Sequence, residues 1–196
     1  MTTTIPLPTL CLTLTPPWPQ AIAYAGKRLE NRWSGVAKGI GTYRGMIGLS
    51  QSKNWDRDEE AIACMGILRD ERIEVLSRLR FSDAMGYDGK GHQDRTGLLT
   101  SAGKLWLVAD LVDVLPPDRC EGADWHVSGQ WGLILGQVWE VEPVACMGGQ
   151  GAWRPQWCFK CQKVVADSHG KIHKACGSTL LQTYMAPALR IIKECA

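Results

Sequence analysis

The stretch from Leu10 to Trp33, LCLTLTPPWPQAIAYAGKRLENRW, constrains the fold more than any other, because it changes hydrophobic period twice and supplies its own stops. Leu10, Leu12 and Leu14 alternate with Cys11, Thr13 and Thr15, which predicts a strand with one apolar face. Pro16 and Pro17 end that strand. Pro19 suits a helix start, where its missing N–H costs nothing, Ala21, Ile22 and Tyr24 supply the buried face, and Gly26 suits the left-handed stop. Alternation then resumes. In an extended chain Lys27, Leu29, Asn31 and Trp33 point one way, and Arg28, Glu30 and Arg32 point the other. So polar a strand beside a core marks its residues as candidates for function.

Further along, Met46–Ser50 reads as a buried strand and Lys104–Leu115 as a central one, with Leu105, Leu107, Ala109 and Leu111 alternating against Trp106, Val108, Asp110 and Val112. Trp131–Val144 reads as two strands parted near Gly136 or Gln137. The segment SGVAKGIGTYRG after Trp33 holds four glycines and is expected to be a mobile loop. Asp56–Arg80 has capping-box spacing at Asp56 and Glu59, and Ile62, Met65, Leu68 and then Ile73, Leu76, Leu79 recur every three residues, which predicts two helices or a bent one. Residues 81–103 read as a long polar loop. Near the end, TLLQTY reads as a strand, and a short helix is expected from Pro187 with Leu189, Ile191 and Ile192 packing back on the domain. The chain therefore reads as α+β. Residues 1–155 form a small β-barrel domain flanked by helices, with a helical and loop insertion at about 56–103, and 156–196 form a second unit of hairpin and helix.

Four motifs in order resemble the activating signal cointegrator homology (ASCH) superfamily, a branch of the PUA-like barrels. They are PPW followed by GKRLENRW, YRGMIGLSQS at Tyr43–Ser52, WGLILGQVWEVEPV at Trp131–Val144, and GGQGAWR at Gly148–Arg154, together covering most of residues 10–155. The resemblance implies a groove that holds a nucleobase or a stretch of nucleotides, bordered by the loop after Trp33. On this reading the ligand meets Trp18, Lys27, Glu30, Asn31, Arg32, Trp33, Trp153 and Arg154. The tryptophans stack bases, Lys27 and Arg32 neutralise phosphate, and Asn31 and Glu30 read a base edge. A structural reading stands beside it: tryptophan at a barrel closure is often core, and Arg32 and Glu30 can simply pair. Some members of the superfamily are amidohydrolases on acylated cytidine that use a lysine, a threonine and a glutamate. Lys27 matches the lysine, but Glu30 stands where the threonine would be, so the expected hydroxyl is missing. Catalysis, if any, would rest on Lys27 and Glu30 as an acid/base pair.

The most specific spacing is Cys158-x-x-Cys161 followed by His173-x-x-Cys176. Each pair lets one tight turn aim two side chains at a single ion, so the two pairs predict a tetrahedral site of ribbon type, filled by a structural Zn2+. Gly177 supplies the turn's backbone freedom, and His169 competes with His173 for the third position with less regular spacing. A redox Cys-x-x-Cys is the alternative, but it lacks a thioredoxin-like setting. Lys160, Lys163, Lys171 and Lys174 make this region locally basic.

Composition excludes several classes. A net charge of +2 is too small to argue for a polyanion partner from the whole-molecule field, so any such site rests on the local cluster of Lys27, Arg28 and Arg32. No run is long enough for a membrane span, and MTTTIPLPTL lacks the features of a secretory signal, so a cytoplasmic, intracellular location with no membrane partner is expected. The eight cysteines then read as thiols or metal ligands rather than disulfides, with Cys11, Cys64, Cys120, Cys146 and Cys195 as small buried hydrophobes. The leading expectation is a module that binds RNA, single-stranded DNA or a nucleotide. The alternatives are an enzyme on modified nucleosides or RNA, and an interaction module that docks a protein partner through the ribbon.

Overall fold

The computed structural model describes residues 3–54, 101–167, 172–173, 175–182 and 186–195. The helices expected over Asp56–Arg80, most of the loop over 81–103, and His92, His169, Lys171 and Lys174 lie outside these residues. In chain order the elements are β1 (Thr4–Ile5), β2 (Leu10–Leu14), α1 (Trp18–Tyr24), β3 (Leu29–Arg32), α2 (Ser34–Ile40), β4 (Gly45–Gln51), β5 (Lys104–Leu115) and β6 (Trp131–Met147). They continue as β7 (Ala152–Trp153), β8 (Pro155–Cys158), β9 (Lys163–Ala166), β10 (Ile172–His173), β11 (Ser178–Thr179), β12 (Leu181–Gln182) and β13 (Leu189–Cys195). The class is α+β, as expected.

Strand β6 is the spine. It pairs antiparallel with β3, β13 and β5 and parallel with β9. From it the sheet runs through β5, β4 and β2 to β7, and through β9 and β8 to β12. Strands β2 and β4 are parallel, so their connection must cross over, and it does so through α1, β3 and α2. The expected barrel is not closed among the described strands, because the hydrogen-bonded path stops at β7 on one side and β12 on the other.

Alternation along the strands sorts the core onto two faces. Leu12, Leu14, Ile47, Leu49, Leu107, Ala109 and Leu111 pack with Ile22 of α1 and Ile40 of α2, whereas Cys11, Leu105 and Val108 pack with Trp153, Trp157, Val164 and Leu189. The expected pattern of β5 is corrected at one point. The register slips between Leu105 and Leu107, so Trp106 and Leu107 share a face and Leu105 goes to the other. Gly48 is required where β4 crosses β2: a Cβ there would lie 2.6 Å from the Cys11 Sγ and 2.8 Å from a Leu105 methyl carbon.

Three other expectations are corrected. The glycine-rich segment after Trp33 is helix α2, because Ala37 and Ile40 are buried against the sheet and tertiary burial outweighs low propensity; Gly41, with φ +60, ends it. Trp131–Met147 is one strand, and the expected break is a register slip against β5 where Ala109 pairs with Val138 but Leu111 with Leu135. The segment after Pro187 is strand β13 rather than a helix. So short a helix is marginal in water, whereas Ile191 and Ile192 favour an extended chain and β1 and β6 supply ladder partners on both edges. The described cysteines are all free thiols. No helix among the described residues is long and apolar enough to cross a membrane.

Candidate functional site

Helix α1 ends where the Ala25 N–H reaches the Ala21 carbonyl, and Gly26, at φ +66, reverses the chain. The Lys27 N–H then returns to the same Ala21 carbonyl at 3.1 Å, which turns the lysine side chain inward before β3 begins. Lys27 is 1% exposed. Its ammonium lies 3.3 Å from Glu30 Oε2, donates to the Leu29 carbonyl, and sits 5.6 Å from the centre of the Trp18 ring. The alternation expected from Lys27 does not extend so far back, which is why Lys27 and Glu30 meet.

Glu30 joins two cations, since Arg32 reaches its other oxygen at 3.1 Å. Arg32 also donates to the Thr13 carbonyl at 3.2 Å, while its Nε is buried without a hydrogen-bond partner among the described residues. Behind it the Thr13 and Ser50 hydroxyls are 3.1 Å apart, and the Trp153 indole N–H donates to Thr13 Oγ1 at 3.1 Å. Gln20 Nε2 donates to Gln51 Oε1 at 2.8 Å, tying α1 to β4. Six polar or charged residues are buried among the described ones, and five of them, Gln20, Lys27, Glu30, Ser50 and Gln51, line this junction of α1, β3 and β4. Polar groups are costly to bury unless partnered, so their concentration here distinguishes the place from ordinary core.

The remaining expected residues separate. Trp153 is core, and Trp33 is 71% exposed at the start of α2. Arg154 is exposed, with its backbone N–H on Asp167. The Asn31 amide is engaged on both sides: Nδ2 donates to the Trp125 carbonyl at 2.7 Å, and Oδ1 accepts from Val127 N–H at 2.9 Å. This clamp holds Trp125 at φ +68, a left-handed conformation rare for so bulky a residue, and packs it beside Trp18 on Ala21. Thr13, Ser50 and Trp125 were not singled out from the sequence. For the first two the signal was present, as a hydroxyl within a run of buried strand residues; for Trp125, in an irregular segment, there was none.

The Cys158, Cys161, His173 and Cys176 ligand atoms all lie within 4.8 Å of one another, so this group can hold a metal ion. Cys158 Sγ and Cys176 Sγ are 3.5 Å apart, and His173 Nδ1 is 3.2 Å from Cys176 Sγ. A tetrahedral ion with sulfur bonds of about 2.3 Å needs ligand sulfurs about 3.7 Å apart, so the donor set fits. The turn is closed by Gly177 N–H on the His173 carbonyl at 2.8 Å, with Gly177 at φ +69. The Ser178 hydroxyl's hydrogen bond pulls the Cys176 thiol down to about 6, and the hydrogen bond with Cys176 pushes Cys161 up to about 11. The other ring nitrogen of His173, Nε2, faces Met147 Sδ of β6 at 3.4 Å. By contrast, burial pushes Cys11 upward and Cys146 up to about 12, which keeps both as inert thiols.

The chain matches no family model and no curated protein.

Proposed function

We propose that this chain binds nucleotides or single-stranded nucleic acid through a PUA-like, ASCH-like fold, and that its Cys3His group holds a structural zinc ion. The observation that carries the binding reading is the Arg32 Nε–H, a buried donor with no acceptor among the described residues, held by a guanidinium already fixed to Glu30 and Thr13. An anionic or carbonyl oxygen admitted when the junction opens would satisfy such a donor, and native structures rarely leave one unmet. Two further features support the reading. Trp18 and Trp125 both pack against Ala21, with Lys27 over the Trp18 ring, and Trp33, adjacent to Arg32, exposes its ring for stacking. Three thiols and an imidazole in closed tetrahedral spacing favour zinc and leave no position for catalytic water.

Fluorescence anisotropy with labelled oligo-U, oligo-dT and single nucleotides tests the reading. Binding should weaken as salt rises, and Arg32→Lys, which keeps charge but lacks Nε, should lose most of it. No binding by the native chain at low salt would sink the proposal.

One observation favours a second reading, a hydrolase on modified nucleosides. Lys27 and Glu30 form a buried pair at the distance over which protons move. Turnover of an acylated nucleoside that disappears in Lys27→Ala while binding persists would favour the enzyme.

A further inference from the structure

We infer that Met147 is a positioning residue for the metal centre: its thioether accepts the Nε2–H of His173 and thereby makes Nδ1 the ligating nitrogen. Both ring nitrogens are placed. Nδ1 lies 3.2 Å from Cys176 Sγ, inside the ligand group, and Nε2 lies 3.4 Å from Met147 Sδ, outside it. His173 is 2% exposed, so water does not satisfy the Nε2–H in place of Met147. A histidine that binds metal through one nitrogen ordinarily gives the other N–H to a fixed acceptor, which sets tautomer and ring orientation. A carboxylate or carbonyl usually serves. Here sulfur, a weak acceptor but a polarisable partner for a ring, takes that place.

The position of Met147 adds a second consequence. Among the described strands, β10, which carries His173, pairs with β11 in a two-stranded sheet outside the main one. Met147 is the last residue of β6 and pairs with Val165 of β9. The sulfur–imidazole contact therefore couples the Cys176 turn to the central strand, in addition to the ladder through which β8 and β9 already join the sheet. Met147 is 37% exposed, so substitution there opens no large void in the core.

The test uses the full chain, stripped with a chelator and reloaded with Co2+ or Zn2+. Met147→Leu, similar in shape but without an acceptor, should weaken metal affinity about tenfold, and Met147→Gln, whose amide oxygen accepts, should restore most of that loss. Equal affinity of the native and Leu chains overturns the inference. Equal loss in Leu and Gln reduces the contact to packing and overturns it as well. An independent readout is nitrogen NMR of the zinc-loaded native chain, in which Nε2 should carry the proton and Nδ1 the metal; the reverse assignment also overturns it. Failure of the native chain to take either ion would remove the zinc reading and this inference together, whereas native loading with unchanged Met147→Leu removes this inference alone.

Discussion

Glu30 Oε2 lies 3.3 Å from Lys27 Nζ, and neither side chain is more than 7% exposed. Two charges taken out of water are tolerable only as a pair, and removing one strands the other. Glu30 also holds Arg32, so it is the member whose loss leaves two cations. Glu30→Ala should therefore destabilise the chain by about 3–5 kcal/mol, and Lys27→Met with Glu30→Gln by less than the sum of the single changes. Urea denaturation of the native chain, Lys27→Met, Glu30→Gln and the double variant gives the cycle. Strictly additive losses would show that the pair is not coupled.

The metal site gives a second prediction. A structural ion contributes folding free energy directly, so a chelator should lower the thermal midpoint and release about one zinc per chain. Cys158, fully buried on β8, is the ligand most deeply set in the sheet, and Cys158→Ser should abolish stoichiometric zinc. Native stability in that variant would contradict a structural metal.

Gly48 is a steric prediction. In Gly48→Ala the new methyl meets Cys11 Sγ at 2.6 Å and Leu105 Cδ1 at 2.8 Å, so overpacking should cost about 1–3 kcal/mol. Adding Cys11→Ala empties part of that space and should recover some stability. A double variant no better than Gly48→Ala alone would show that backbone rather than side-chain crowding sets the cost.

Burial moves Cys146 from its ordinary value of 9.0 up to about 12. Between those values the unfolded chain has lost a proton that the folded chain keeps, so stability falls as pH rises through this window and is unaffected below it. The slope is about 1.4 kcal/mol per pH unit for this thiol, and Cys11 adds to it in the same direction. Urea midpoints from about pH 8 to about pH 11 should fall more steeply for the native chain than for Cys146→Ala. Parallel slopes would remove Cys146 as a source.

Where periodicity was strong the sequence was easy to read. Strand β2 follows from Leu10, Leu12 and Leu14, and Lys104–Leu115 was placed to the residue, because alternating residue type marks an extended chain even where both faces are packed. The group that can hold a metal was readable for a related reason, since two-residue spacings act within one turn. Helix α2 was hidden, because Gly35 and Gly39 argue against a helix and only packing of Ala37 and Ile40 on a distant sheet overrides them. For Leu189–Cys195, a short apolar run fits either a helix or a strand until its neighbours are known. Lys27 and Glu30 are paired by the family resemblance, whereas strand alternation sets them on opposite faces, because that pattern does not hold across the reversal at Gly26.

Strand β13 has a consequence for biosynthesis. Val138 and Val141 of β6 take Cys195 and Ile191 as ladder partners, and these are synthesised long after β6 itself. Until they emerge, β6 presents unpaired backbone and apolar side chains along one margin, the kind of surface that recruits other nascent chains. The cysteine knuckles emerge in between. A chain that takes up an ion there would therefore do so before β13 completes that margin of the sheet.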